Sequence, residues 1–289
     1  MEQVNKVWLI TGTSSGFGKR LVASVLARGD RVIATVRNLK NAPIPLDSQR
    51  SRLHVLVLDV ASSADKIQRT VEAALAVWGR IDVLVNNAGT GAKGMLEEVS
   101  PSTALAQFQT NVFGVMNVTN ATLPHMRSRR SGTVVIIGSR SVWKTGPTVG
   151  MYVASKAAVH ALGETYAAEL RPLGVRVMVV APGAFRTENI HSAPITAERR
   201  IPAYDGTRAA MQAVFRDVAV NAPGDPAKAM ELLVDVVKGE GAARGHEMPL
   251  YLMLGGVTFS DVRVHQKKVS ACLDGWEGVA SDLNFDAPL

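Results

Sequence analysis

Seven short runs of aliphatic and β-branched residues recur along the chain, most of them followed by a stretch of helical period. They are Val7–Thr11 (VWLIT), Arg31–Thr35 (RVIAT), Leu53–Val60 (LHVLVLDV), Asp82–Asn87 (DVLVNN), Thr133–Ser139 (TVVIIGS), Val175–Pro182 (VRVMVVAP) and Pro249–Leu254 (PLYLML). Most are continuously apolar rather than alternating, the pattern of strands covered on both faces. Gly18–Arg28 places Leu21, Val22, Val25 and Leu26 on one helical face and ends at Gly29, a stop signal. Repeated strand–helix–strand order predicts an α/β protein with a parallel sheet, right-handed crossovers and helices on both faces.

The alternation stops between Pro182 and Pro249. A polar segment, RTENIHSAPITAERRIPAYDG, begins this interval, and a lid over a bound ligand is expected at about residues 184–222. Asp225 can cap and Pro226 can open a following helix, whose Met230, Leu233, Val234 and Val237 form a core stripe. After the last run, Val262, Val269, Leu273 and Trp276 predict an amphipathic helical extension over about 257–289. No repeat, linker or low-complexity segment breaks the chain, so residues 1–289 read as one domain.

Composition narrows the classes. Of 289 residues 47% are hydrophobic, enough for a substantial core, and the 20% that are charged are spread evenly. The net charge of +7 suits an anionic small molecule and lacks the motif context of nucleic-acid binding. The densest basic run, RSRR at Arg127–Arg130, reads as a solvated loop. One cysteine, Cys272, excludes an intramolecular disulfide, and the histidine spacing suits no metal. With no run of about 18 apolar residues and no leader pattern, a cytoplasmic protein is expected.

Two local patterns carry chemistry. TGTSSGFG, Thr11–Gly18, joins the first strand to the first helix. Gly12 allows a sharp turn, Gly16 lets backbone approach a pyrophosphate, and Gly18 permits close packing, while the helix N-terminus offers N–H groups to phosphates. YVASK, Tyr152–Lys156, then sets a phenol and an ammonium at i and i+4 on one face of a helix that runs to Leu170.

With NNAG at Asn86–Gly89, TNVFG around Asn111, a strand-end Ser139 and PG at Pro182–Gly183, these motifs stand in the order and spacing of the short-chain dehydrogenase/reductase family. The likeness covers roughly residues 4–190 and leans toward steroid- and retinol-type members. It implies a Rossmann-type doubly wound, seven-stranded parallel sheet of order 3-2-1-4-5-6-7 and an NAD(P)-dependent oxidoreductase. Carried over by position, Tyr152 is the acid/base, Lys156 its activator, Ser139 the carbonyl-binding hydroxyl and Asn111 the holder of a relay water. The expected cofactor residues are Gly12, Ser14, Ser15, Gly16, Phe17, Gly18, Arg37, Asp59, Val60, Asn87, Ala88, Gly89, Tyr152, Lys156, Pro182, Gly183 and Thr187. The family's usual assembly implies a homodimer or homotetramer through helices near residues 102–128 and 152–173.

The chemistry also stands on residue types. Reducing a ketone needs a proton on oxygen, and a phenol with a pKa near 10 is a poor base at neutral pH. Lowering it by about 3 units requires roughly 4 kcal/mol. An ammonium about 5 Å away at an effective dielectric near 20 supplies roughly 3 kcal/mol, leaving the remainder to a cationic nicotinamide. An NAD enzyme usually carries an acid after the second strand; here Val36 holds that place and Arg37 follows, so NADP(H) is expected. Met95, Trp143, Met151 and Phe185 lie near these motifs and predict an apolar pocket for a hydrophobic carbonyl or secondary alcohol. A non-catalytic NADP-binding sensor is the alternative; an extended-branch sugar epimerase or dehydratase fits the glycine spacing and chain length less well.

Overall fold

The protein is described here by a computed structural model covering residues 5–188 and 193–285. Its sheet is β1 (Val7–Ile10), β2 (Arg31–Val36), β3 (Leu53–Val57), β4 (Val83–Asn86), β5 (Gly132–Ile137), β6 (Val175–Pro182) and β7 (Tyr251–Leu254). All neighbouring pairs are parallel, in the order β3-β2-β1-β4-β5-β6-β7. Strand order reverses between β1 and β4, so a crevice opens beyond their carboxyl ends.

Alternate residues of each strand go to opposite cores. Val7 and Leu9 of β1 join Leu84, Val134, Ile136 and Val177 against α2 (Ala64–Trp78), α4 (Gly114–Ser128) and α5 (Gly150–Leu170). Trp8 and Ile10 join Val83, Val85, Val135, Met178 and Val180 against α1 (Gly16–Ala27) and α7 (Pro226–Lys238). Covering both faces explains why the strands read as unbroken apolar runs. The strands are shorter than the runs at several ends: the third stops at Val57, not Val60, and β5 stops at Ile137, before Ser139. Backbone leaves the ladder there and becomes available to a ligand.

The α7 helix opens as its sequence predicts, with the Asp225 side chain accepting from Ala227 N–H at 2.8 Å, and Met230, Leu233, Val234 and Val237 are buried. Three helices stand apart from these two layers. Short α3 (Pro101–Phe108) leads through a π turn, Gln109–Phe113, into α4. Within the expected lid, α6 (Asp205–Asn221) buries no residue fully; within the extension, α8 (Gly256–Ala280) buries Thr258 alone. Residues 189–192 of that lid and 286–289 of that extension lie outside the described residues.

The basic run keeps Arg127, Ser128 and Arg130 exposed at the end of α4, as expected, but Arg129 is partly covered. Arg129 reaches back to Asp82 Oδ1 at 2.9 Å, and Arg130 donates to Pro172 O at 2.7 Å. Asp82 is buried at the amino end of the sheet, where it also accepts from Arg80 at 2.6 Å and from Val7 N–H at 2.9 Å. Burial alone would raise its pKa, but Arg80, the Val7 N–H and Arg129 outweigh it and hold the carboxyl below the ordinary range. Removing one partner of such a buried cluster strands the others. Asp82→Ala should lose about 3 kcal/mol in urea unfolding at pH 7. Because the folded pKa is depressed, the contribution is present above the ordinary carboxylate pKa and fades as pH falls through the lower folded value. The deficit of the variant should therefore shrink in acid, and a deficit that persists there would contradict this account.

Candidate active site

The glycine loop fits its expected geometry. Gly12 takes φ +68°, and a Cβ on Gly18 would fall 2.4 Å from Gly12 O and 2.5 Å from Asn87 Nδ2. Asn87 fastens the loop to the end of β4, donating to Thr11 O at 2.8 Å and Gly12 O at 2.9 Å. Asn87 and Ala88 both donate backbone N–H to Thr11 Oγ1 at 3.0 Å. The N-terminus of α1 faces outward, with Ser14 exposed and Ser15 partly so.

A carboxylate already sits at that N-terminus. Glu188 Oε2 accepts from Gly16 N–H at 2.9 Å, and Arg20 Nη1 donates to Glu188 Oε1 at 2.5 Å. Burial opposes ionisation, yet Arg20 and the Gly16 N–H hold the Glu188 carboxyl below its ordinary range. A carboxylate of the protein's own chain, paired with Arg20, thus holds the Gly16 N–H. Thr187 is beside it, its Cβ 4.0 Å from the position of a Cβ on Gly16. Pro182 ends β6, and Gly183 N–H bonds Leu254 O at 2.9 Å. Arg37 is the first residue past β2, exposed, with no ion pair among the described residues, while Val36 is buried in the strand. Asp59 is exposed and caps its own turn through Ala61 N–H at 3.0 Å; Val60 is buried against Gly114.

Beyond the ends of β4 and β5 four polar groups converge. Lys156 is buried on the inner face of α5, and its Nζ donates to Ile137 O at 2.6 Å. A Cβ on Gly89 would lie 3.4 Å from Asn111 Oδ1 and 3.7 Å from Lys156 Nζ. Ser139 is buried at the end of β5 with its hydroxyl toward half-buried Tyr152. Lys156 Nζ stands 5.9 Å from the Tyr152 ring centroid. The face of α5 that carries Tyr152 and Lys156 is therefore turned inward, with Lys156 buried.

Protein groups alone do not make this phenol acidic. Burial pushes the Tyr152 hydroxyl up, and Ser139 offsets only part of that. The Lys156 ammonium, bonded to Ile137 O, is itself pulled down to about 8 by desolvation. Asn111, within the π turn, spends its amide on ties: Oδ1 accepts from Thr90 N–H at 2.9 Å, and Nδ2 donates to Thr90 O at 2.9 Å and Ser155 Oγ at 3.0 Å.

Of the four expected pocket residues, Met95 and Met151 are partly exposed. Phe185 is not available to a ligand: it is buried and packs edge-on against Phe17, centroids 5.4 Å apart, in the core beneath the glycine loop. Apolar residues next to PG fill the gap between sheet and α7. Trp143 packs tilted against His160 with centroids 5.0 Å apart and edge-on to Tyr251 at 5.6 Å.

Two buried polar residues escaped the sequence reading. His160, one turn beyond Lys156, accepts the Ser139 backbone N–H at its Nε2 at 3.2 Å, and burial together with the Lys156 charge holds it neutral down to about pH 4. The i+4 spacing from Lys156 was the available signal. Glu98 is fully buried and accepts from Ile201 N–H at 2.7 Å and from Arg208, clamping the segment before α6 onto residues 93–98; nothing local in sequence marks a pair so far apart.

A glycine loop at the switch point of a parallel sheet, with Tyr, Lys and Ser gathered beside it, defines an oxidoreductase site of the dinucleotide-dependent kind. Comparison with known proteins gives the lineage. The profile of the short chain dehydrogenase family matches residues 6–197, and the chain belongs to that family. It is 38% identical over 182 residues to a 3-ketodihydrosphingosine reductase of Bacteroides thetaiotaomicron, a match spanning 63% of this chain and 65% of that reductase. A crystal structure of a short-chain dehydrogenase from Streptomyces avermitilis superposes with TM-score 0.84 at 35% identity, covering 97% of this chain and all of that one. A 3-ketoacyl-(acyl-carrier-protein) reductase from Brucella melitensis, complexed with NADH, superposes with TM-score 0.70 at 25% identity over 88% of this chain and 98% of its own. The protein is thus a short-chain dehydrogenase/reductase.

The buried ammonium has a measurable signature. Lys156 deprotonates near 8 in the folded chain and at its ordinary 10.5 when unfolded, so the unfolded chain holds more protons between these values. Stability should therefore rise with pH across that window. Below it the buried charge costs about 3 kcal/mol. Lys156→Met should melt at or above the wild-type temperature at pH 7 and lack the rise from pH 8 to 10, by calorimetry. A markedly lower melting temperature would contradict the assignment.

Proposed function

We propose that the protein is an NADP(H)-dependent oxidoreductase interconverting a carbonyl and a secondary alcohol on a hydrophobic small molecule. The observation that carries this reading is the convergence, beyond β4 and β5, of Lys156 beside Gly89, Tyr152 with its ring 5.9 Å from the Lys156 Nζ, and Ser139 with its hydroxyl toward Tyr152. The nicotinamide, when bound, supplies or accepts the hydride. The chain's part is binding, orientation and the proton. Ser139, its backbone pinned by His160, offers a hydroxyl to the substrate oxygen, and Tyr152 gives that oxygen its proton or removes it. Lys156 supplies positive charge beneath the phenol. Asn111 is a positioning residue, since both amide hydrogens are committed to Thr90 O and Ser155 Oγ.

Gly12, Gly16 and Gly18 would hold the pyrophosphate, with Glu188 yielding the Gly16 N–H to it. Arg37 and the Ser14 and Ser15 hydroxyls would hold a 2′-phosphate. Segment 193–221, clamped by Glu98 and by Lys93, whose Nζ donates to Ala193 O at 2.9 Å, serves as the substrate lid. Leu96 lies over the start of α5, its side chain 2.6 Å from the position of a Cβ on Gly150, and with Met95 and Met151 supplies apolar lining. The relatives named for 3-keto substrates support a lipophilic ketone.

Tyr152→Phe should cut turnover of a lipophilic ketone by at least about 100-fold, the scale of general acid catalysis, while NADPH still binds, read by fluorescence titration. Unchanged turnover would overturn the role of Tyr152, and NADPH binding by a wild type that turns over no ketone would favour the cofactor sensor instead. Arg37→Glu should lower the NADPH-to-NADH ratio of kcat/KM by at least about tenfold, as loss of a charged hydrogen bond requires. A wild-type preference for NADH would overturn the cofactor assignment.

A further inference from the structure

Among the described residues, the α8 helix is anchored at its beginning. Thr258 is buried and donates to Leu254 O at 2.8 Å. Asp261 pairs with Arg140 and, at 3.1 Å, with Lys144, in the segment that follows Ser139. Val262 and His265 are partly covered. From Gln266 to Phe285 every residue is exposed. The last 15 residues of the helix therefore run about 20 Å past the body at 1.5 Å per residue.

This outer half carries an apolar stripe. Val262, His265, Val269, Cys272, Trp276 and Val279 recur at alternating spacings of 3 and 4, with Leu273 beside them, so the face that packs on the body continues outward uncovered. Val269 is 43%, Leu273 63%, Trp276 66% and Val279 74% exposed. A segment this short, with Gly275 and Gly278 inside it, is marginal as a helix in water without packing.

Its charges select the cover. Arg263, Lys267 and Lys268 precede the middle of the stripe, while Asp274, Glu277 and Asp282 follow it. Two such helices laid antiparallel bring each basic block beside the other's acidic block; a parallel pair stacks like on like. The balance of three charges of each sign complements a second copy of itself, whereas an anionic lipid surface would call for a basic polar face.

We propose that the outer half of α8 docks antiparallel on the same segment of a second copy of this chain across a two-fold axis. Heptad register sets Val269 against Val279 of the second copy and Cys272 against its Trp276, with Lys268 near its Asp282. This contact is separate from any formed by α4 and α5, and it stands independently of the reaction assigned above.

The test is the mass of the full-length protein by light scattering across a dilution series. Leu273 is 63% and Trp276 66% exposed, so Leu273→Glu/Trp276→Glu should halve the mass without lowering the melting temperature. Lys268→Glu should shift half-dissociation to higher concentration, and adding Asp282→Lys in the same chain should restore it. Equal masses for wild type and the double variant at every concentration would overturn the proposal. So would charge reversal without rescue, or co-sedimentation of the wild type with phosphatidylserine vesicles that the double variant loses.

Discussion

An ammonium buried at the carboxyl end of a strand is the constraint around which this crevice is arranged. Lys156 has given up water for the Ile137 carbonyl, and burial draws its pKa toward 8. That carbonyl is free to accept because β5 leaves the ladder at Ile137, and the residue two further on is Ser139. The inward turn of α5 that buries Lys156 also carries His160 under the Ser139 N–H and Ser155 against Asn111. One helix face thus sets the serine, the lysine and the floor of the site together. Any change that lets water reach Lys156 would loosen all three.

The same face accounts for a glycine and an aromatic cluster with no direct part in the chemistry. A Cβ on Gly138 would strike His160 Nε2 at 2.2 Å, so the imidazole can lie under the strand end only because that position is bare. Trp143 and Tyr251 close around the ring, and Tyr251 is fixed by Glu164 at 2.7 Å. Neutral His160 keeps an acceptor toward Ser139 and adds no second positive charge beside Lys156. The crevice is thereby stiffened from behind.

Much of this was written locally in the chain. Continuous apolar runs give the two-sided sheet because covered strands need no polar face, and Asp225–Pro226 gives α7 because capping is a matter of adjacent residues. TGTSSGFG and YVASK give the loop and the pair because both are short-range backbone patterns. What sequence did not show depends on distant partners. Phe185 looked like pocket lining until Phe17 and Gly224 closed over it. Arg129 looked solvated until Asp82 met it, and Glu188 reaches Gly16 across 172 positions. The direction of the Lys156 side chain was also hidden, since helical period gives a shared face without saying which face is buried.

Burial leaves the Tyr152 phenol a weaker acid than usual, and the proposed reaction requires cationic charge from Lys156 and the oxidised cofactor to offset that. The most direct measurement is a tyrosinate absorbance titration, taken as the difference between wild type and Tyr152→Phe, without and with saturating oxidised NADP. The account predicts a Tyr152 pKa above the ordinary phenol value of about 10 in the protein alone, falling by at least about 2 units with the oxidised cofactor bound. A pKa that is already low without cofactor, or one that does not move when it binds, would contradict it.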